Sequence, residues 1–151
     1  REAQAAALVV PRTGMAVTIE IGDPKDLHPH NKSDIGKRLA LLARAEVYGE
    51  KLESQSPRAV AFEKVSGGMR ARLSAAKGLH LRDGKSAGAV VAGADRVFHP
   101  ATLAIEGDVV IARSDKVPEP VALRYAWANA PEVSLYNGAG LPAAPFRSDA
   151  W

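Results

Sequence analysis

The sequence predicts an α/β segment followed by a small antiparallel β module. An apolar strand, a polar loop and an amphipathic helix follow one another over residues 15–48, which is the order found in α/β folds. After a polar linker at residues 53–57, short apolar runs alternate with Gly, Asp and Pro turns, which is typical of antiparallel sheets. We therefore expect an α/β part at residues 1–53 and a β part at residues 57–151.

Composition narrows the class of protein. The 151 residues are 46% hydrophobic and 25% charged, which are values typical of globular domains. The net charge of +3 is spread out, without the dense Lys/Arg block that nucleic-acid binders carry, so no nucleic-acid partner is predicted. No apolar run approaches the roughly 20 residues that span a bilayer, so no membrane partner is predicted either. The absence of cysteine excludes disulfides, thiol catalysis and cysteine-based zinc sites.

The first part of the chain predicts helix, strand, loop and helix. Residues 1–9 are rich in alanine and suit the end of a helix, which the proline and glycine of residues 11–14 stop. Alternating apolar residues at 15–21 predict a strand. Ser33 is the predicted N-cap of a helix that runs to about Tyr48. The apolar positions of this helix predict a wide buried face made of Ile35, Leu39, Leu41, Leu42, Ala43, Ala45, Tyr48 and Leu52.

The beginning of the chain adds an expectation. The sequence starts within a helical pattern and shows neither an initiator methionine nor a signal peptide. We therefore expect a fragment of a longer protein or one chain of a processed protein.

The second part predicts seven short strands. The turn signal Gly107-Asp108 separates two of them and predicts a tight hairpin, and the whole part reads as a sandwich or as a sheet packed on the first part. Gly and Pro are expected to exclude regular structure at residues 135–147, whose Leu, Tyr and Phe side chains are of the kind that is buried. We therefore expect an extended tail packed over another surface. The predicted strands lie at 59–65, 69–75, 79–81, 89–92, 101–105, 109–112 and 121–127.

The loop at residues 22–29 is the most informative stretch for chemistry. It places His28 just after two carboxylates, Asp23 and Asp26, between the predicted strand and helix. An imidazole oriented by a nearby carboxylate is the general-base half of a hydrolase site. Asp26 is the favoured orienting group, although either aspartate also suits a turn that hydrogen-bonds its own backbone. The alternative is that His28 has no catalytic role and is a loop histidine at the start of a helix, where Pro29 restricts the local backbone.

Other candidate residues carry weaker signals. No serine lies in Gly-x-Ser-x-Gly, Gly-Asp-Ser or Gly-Gln-Ser, so no nucleophile is identified. His28 and His30 form a His-x-His pair without further nearby ligands, and we predict neither a metal nor a cofactor. His80 and His99 are expected to be structural. Three residues in the last quarter of the chain suggest either a structural strap or the lining of a sugar site: Trp127, Asn129 and Tyr136.

The loop and its surroundings resemble a known family. The match is to the C-terminal region of bacterial sialate O-acetylesterase-like proteins, which are carbohydrate esterases of the SGNH hydrolase superfamily. In the first part the resemblance rests on residues 15–22, the loop Asp23-Pro24-Lys25-Asp26-Leu27-His28-Pro29-His30-Asn31-Lys32, residues 36–41, and Tyr48-Gly49. In the second part it rests on residues 121–127, Asn129, Pro131 and residues 135–147.

This resemblance implies a fold and an activity. The fold would be the C-terminal part of a flavodoxin-like three-layer SGNH hydrolase domain, followed by the antiparallel β module. The activity would be carbohydrate O-acetylesterase, a serine hydrolase without metal or cofactor that acts on acetylated carbohydrate, in a protein often exported to the periplasm or outside the cell. His28 would take the serine proton, and Asp26 or Asp23 would fix its ring. Lys25 stands where the family's Asp-x-x-His motif has its aspartate, which leaves a Ser–His dyad as an alternative.

The same resemblance implies an incomplete site. In the family the serine and the oxyanion-hole residues precede the region that this chain matches, so the partner would be an upstream segment or a second chain carrying the nucleophile. Sialic acid, xylan and xyloglucan decorations all remain open as the acetylated sugar. The alternative from another class is a non-catalytic carbohydrate-binding or structural β module.

Overall fold

The computed structural model describes residues 1–26, 28 and 30–151. In this part of the chain two α-helices come first and ten strands follow. Helix α1 is Glu2–Ala6, extended by a 3-10 turn at Ala7–Val9, and helix α2 is Lys32–Glu46. None of the helices described is long and apolar enough to cross a bilayer. The strands are β1 (Arg58–Val65), β2 (Gly68–Ser74), β3 (His80–Leu81), β4 (Ala89–Ala92), β5 (Phe98–Pro100), β6 (Thr102–Glu106), β7 (Val109–Arg113), β8 (Ala122–Tyr125), β9 (Leu135–Tyr136) and β10 (Phe146–Arg147).

The strands form an antiparallel β-sandwich. One four-stranded sheet has the order β1-β2-β7-β6, the other has the order β10-β8-β4-β5, and β3 pairs with β9. Alternate residues of both sheets point into a shared apolar core, which holds Met69, Leu73 and Val110 from the first sheet and Val91, Leu123 and Phe146 from the second. The predicted antiparallel module is therefore confirmed, whereas the boundaries at residues 53 and 57 stay predictions.

The hairpin between β6 and β7 forms where the turn signal predicted it. Glu106 pairs with Val109, which leaves Gly107 and Asp108 as a two-residue turn. Gly107 has a φ of +64°, a conformation that side chains with a Cβ rarely adopt and that tight hairpins need. Local sequence is therefore sufficient to predict this element.

The flavodoxin-like arrangement is not seen in the described residues. The sheets are antiparallel, and the predicted strand at 15–21 is an irregular segment. A strand needs a neighbouring strand to satisfy its backbone groups, and none of the strands described pairs with this segment. The Arg38 guanidinium of α2 instead donates to the Val17 carbonyl and to the Glu20 carboxylate.

Helix α2 is confirmed, but its cap differs from the prediction. Asn31, not Ser33, is the N-cap, because its side-chain oxygen accepts the Asp34 backbone N–H at 3.1 Å. Its amide nitrogen also donates to the Asp34 carboxylate at 2.8 Å. Asparagine satisfies an N-terminal helix donor as well as serine does, so two good capping residues in one turn leave the choice to tertiary context.

The predicted wide buried face of α2 is wrong for this chain. The buried residues of the helix are Arg38 and Leu42. Leu39 is half exposed, and Tyr48, just after the helix, is 75% exposed. The apolar positions therefore exist in the sequence, but the face that they form is only partly covered by the residues described.

The tail at residues 135–147 packs over the sandwich, as predicted. Gly and Pro do not exclude regular structure there, because β9 and β10 each add two paired residues. Asn137 is fully buried at the centre of the tail. Its amide donates to the carbonyls of Gln55 and Ala75, both at 3.1 Å, and its oxygen accepts two backbone N–H groups of the tail. This side chain joins the linker, the first sheet and the tail.

The last residues are anchored by a bidentate ion pair. The Arg124 guanidinium donates to both oxygens of the Asp149 carboxylate, at 2.8 and 2.7 Å, and this carboxylate is buried. These bonds lower the pKa of Asp149 below its ordinary value of 3.8. Because the folded state binds this proton more weakly than the unfolded state, the ionised pair stabilises the fold above the ordinary pKa.

We expect that stabilisation to disappear in acid. As the pH falls below 3.8 and through the lower folded-state pKa, the carboxylate becomes protonated and the advantage is lost. Urea unfolding midpoints of the wild type and of Asp149→Asn should differ by a constant amount above about pH 5 and converge below it. A gap between the two proteins that does not change down to pH 2 would contradict this assignment.

Candidate active site

The described residues of the predicted catalytic loop bring His28 and Asp26 together. Asp26 is partly exposed. Its Oδ1 lies 3.7 Å from Nδ1 of His28 and accepts the His28 backbone N–H at 2.7 Å. The 3.7 Å separation between these two atoms is longer than a hydrogen bond. The imidazole is 87% exposed. Leu27 and Pro29, which was expected to stiffen the loop, lie outside the described residues.

Asp23 occupies a different position in the same loop. Its Oδ1 accepts the backbone N–H of Lys25 at 2.8 Å, and its carbonyl accepts that of Asp26 at 3.3 Å. This is the turn geometry in which an aspartate binds its own backbone. Asp26 makes the same kind of turn bond, to the His28 backbone N–H, and of the two candidate acids it is the one that also lies near the imidazole.

His30 is a second imidazole near the same carboxylate. Its Nε2 lies 3.5 Å from Oδ2 of Asp26, and its side chain is 90% exposed. Each carboxylate oxygen of Asp26 therefore faces one histidine. No cluster of three or more metal-ligating side chains is found within the residues that the structure describes.

A buried ion pair lies directly before the loop. Arg38 and Glu20 are 10% and 8% exposed, and they connect α2 to the segment that leads into Asp23. The second oxygen of Glu20 and the hydroxyl of Tyr136 are both buried without a hydrogen-bond partner among the described residues. Burial, reinforced by the Glu20 charge, raises the pKa of Tyr136 to about 12, so this hydroxyl stays neutral at physiological pH.

The loop opens on a cleft of about 990 Å³, which we call the loop cleft. One wall is formed by residues 18–20 and 22–26, and the other by Asn129, Ala130 and Pro131 of the β part. Arg1 reaches across, and its guanidinium donates to the carbonyls of Ala128 and Asn129 at 2.5 and 2.7 Å. The Asp/His loop and the β-sandwich therefore border one shared space.

Among the described residues, no nucleophile accompanies this loop. No serine hydroxyl lies within hydrogen-bonding distance of His28 in the part of the chain that the structure describes. Ser33, the serine nearest in sequence, lies exposed in the first turn of α2. The arrangement places an imidazole near a carboxylate, and an ester hydrolase would need a nucleophile in addition.

The three residues suggested for a sugar site do not lie together. Trp127 and Asn129 line a second cleft of about 330 Å³, which we call the tryptophan cleft. Tyr136 is fully buried beneath the Arg82 guanidinium, 3.7 Å from its ring centre, so its inclusion in a sugar site is wrong. His80 fits the structural reading, because its Nδ1 hydrogen-bonds the Gly78 carbonyl at 3.0 Å.

Sequence reasoning missed Glu20 and Arg38. A signal for Arg38 existed, because it lies between Ile35 and Leu42 on the apolar side of a helix. A charge in that position is buried with a partner more often than it is free. The partner, Glu20, has no signal of its own in the sequence.

One solved structure matches this chain over nearly its whole length. No family model and no curated protein matches the sequence significantly. Among the solved structures that do match is a carbohydrate acetylesterase from Xanthomonas citri, at 44% sequence identity and a TM-score of 0.92. The match covers 99% of this chain and 35% of that chain, so the present chain spans about a third of the length of the acetylesterase.

Proposed function

We propose that this chain is the part of a carbohydrate O-acetylesterase that carries the catalytic histidine, His28. The observation that carries the proposal is the 44% identity to a carbohydrate acetylesterase over 99% of the chain, at a TM-score of 0.92. The placement of His28 near Asp26 supports it, because an imidazole beside a carboxylate is what a serine esterase needs besides its nucleophile. The sequence resemblance makes the sialate O-acetylesterase-like branch of the SGNH hydrolases the family that we favour.

The proposed mechanism assigns a proton path to the loop. Nε2 of His28 takes the hydroxyl proton of a serine as the serine oxygen bonds to the acetyl carbon. The same proton then passes to the sugar oxygen as the ester bond breaks, which leaves an acetyl-serine. Water attacks this acetyl group with His28 again as base, and acetate leaves as the proton returns to the serine. Asp26 holds Nδ1 throughout, and Asp23 keeps the turn in shape.

The serine must come from outside these residues. The matched acetylesterase is nearly three times as long as the stretch that this chain covers, so an upstream segment or a second chain is the proposed source. Helix α2 supports this, because Leu39 and Tyr48 are exposed apolar side chains on or next to an element that gains most of its stability from packing.

A non-catalytic carbohydrate-binding module is the second candidate. The β-sandwich and the tryptophan cleft favour it, since Trp127 and Asn129 line a concave surface. The two functions differ in their product: the esterase releases acetate, whereas the module holds a glycan unchanged.

Acetate release tests the proposal. We expect the full-length polypeptide to release acetate from O-acetylated oligosaccharides and from p-nitrophenyl acetate. The 151-residue chain alone should give the rate of buffer, because it lacks the nucleophile. Glycan binding by a full-length protein that releases no acetate from any of these esters would overturn the proposal and support the binding module.

A further inference from the structure

The segment that joins β8 to β9 borders three clefts. Asn129 lines both the loop cleft and the tryptophan cleft. Trp127 lines the tryptophan cleft and a third cleft of about 460 Å³, to which Pro131 also contributes. The loop at residues 127–131 is thus the wall that separates these spaces, and it stands opposite the aspartates of the catalytic loop.

The base of this wall is held by buried contacts. The Tyr125 hydroxyl accepts the backbone N–H groups of Ser134 and Leu135, at 2.9 and 2.8 Å, which closes the loop at its foot. Gly88 packs so closely that an added Cβ would lie 2.3 Å from the Glu132 carbonyl oxygen. Arg1 binds the two carbonyls at the crest. A binding wall supported in this way keeps its geometry without ligand, as a specific site requires.

Trp127 is held in place at this wall. The Arg147 guanidinium lies 5.2 Å from the centre of its ring, and Arg147 is itself held by both carboxylate oxygens of Glu2, at 3.1 and 2.9 Å. The indole is half buried, and the part that remains accessible faces the two clefts that it lines. A large aromatic surface fixed in a cleft suits a flat ligand with apolar C–H faces, such as a sugar ring.

Asn129 adds the polar group that such a site needs. It is exposed, and it borders both the cleft of Trp127 and the cleft of Asp26. An amide both donates and accepts hydrogen bonds, so it matches a sugar hydroxyl in either role. A sugar lying on Trp127 would pass Asn129 on the way to the catalytic loop.

We propose that Trp127 and Asn129 form the sugar subsite of the esterase, with Trp127 as the stacking platform and Asn129 as the hydroxyl contact. The inference rests on the proposed function, because it names how the same site holds the sugar whose acetyl group is removed. It assigns to the β-sandwich a role in substrate specificity, whereas the Asp/His loop supplies the chemistry. An ester without a sugar, such as p-nitrophenyl acetate, would not use this wall.

The test compares two esters in the full-length enzyme. For Trp127→Ala we expect kcat/KM on the best substrate of an acetylated xylo-, gluco- and sialo-oligosaccharide panel to fall about 10- to 100-fold, a range typical of lost pocket contacts. The kcat/KM for p-nitrophenyl acetate should stay within about twofold of the wild-type value, because this ester has no sugar that could contact Trp127. Asn129→Ala should show the same split with a smaller loss. Trp127→Phe, which keeps an aromatic face, should recover most of the activity on sugar.

The control is the other tryptophan. Trp151 also lies beside a guanidinium, that of Arg96 at 4.9 Å, but it lines none of the three clefts. Trp151→Ala should leave both rates unchanged. An equal fall on both esters for Trp127→Ala, an unchanged sugar rate, or a wild type that accepts p-nitrophenyl acetate but no acetylated sugar would overturn the subsite. A wild type that hydrolyses neither ester would instead overturn the proposed function.

Discussion

His28→Ala in the full-length enzyme is expected to lower kcat on acetylated substrates by roughly 10⁴- to 10⁶-fold, the scale of losses when a member of a catalytic triad is disabled. The reason is chemical, because His28 faces Asp26 through Nδ1, so its Nε2 is the atom that would take the serine proton, whereas His30 faces the same carboxylate through Nε2. Folding should be unaffected. The imidazole is 87% exposed, and the hydrogen bond that its residue makes to Asp26 uses the backbone N–H, which alanine retains.

His30→Ala is the matched control for that experiment. His30 lies in the same loop, is 90% exposed and also faces the Asp26 carboxylate, so it shares the surroundings of His28 without the proposed role. We expect its turnover to stay near that of the wild type. Steady-state kinetics and thermal unfolding of both variants make the comparison. Near-wild-type turnover of His28→Ala, or equal losses in the two variants, would refute the assignment of the base.

Arg38→Met is expected to lower the free energy of unfolding by about 3–5 kcal/mol, the range for breaking one side of a buried ion pair. The substitution keeps an apolar stem of similar length but leaves the Glu20 carboxylate buried without its partner, and that carboxylate already has one oxygen unpaired among the described residues. It also removes the donor to the Val17 carbonyl. Urea unfolding gives the measurement.

Two further variants separate the ion pair from other causes. The double variant Arg38→Met, Glu20→Gln should regain part of the lost stability, because a neutral amide costs less to bury than a lone carboxylate. Arg44→Met removes a cation from the same helix, but its pair with Glu50 is exposed, so the unfolding midpoint should hardly move. Equal losses of stability for Arg38→Met and Arg44→Met would show that the buried pair stabilises the fold no more than the exposed pair does.

Elements with local signals were predictable from the sequence. The β6–β7 hairpin follows from Gly107-Asp108 between two apolar runs, and α2 follows from its apolar spacing and its polar N-terminal turn. In both cases the stabilising contacts lie within a few residues of each other. The pairing of His28 with Asp26 belongs to the same class, since two residues of a turn are close whatever the rest of the chain does.

Elements that depend on distant partners were not predictable. Residues 15–21 alternate like a strand, yet strand formation requires an edge to pair with, and here Arg38 binds the segment instead. The opposite error occurred at β9 and β10, where Gly and Pro led us to predict no regular structure. Both are short paired segments whose partner strands lie far away in sequence. The wall formed by Trp127 and Asn129 is likewise visible only once the two parts of the chain are packed together.

The contacts of Arg1 and Glu2 also set an order of events during synthesis. Arg1 binds carbonyls 127 and 128 positions further along the chain, and Glu2 binds Arg147, 145 positions away. A ribosome releases the helix and the catalytic loop long before it releases these partners, and contacts of such sequence separation form late and slowly. The loop cleft therefore acquires its shape late. A nascent chain would carry the turn that holds Asp26 and His28 without the opposite wall of the cleft until residues 129–131 have emerged.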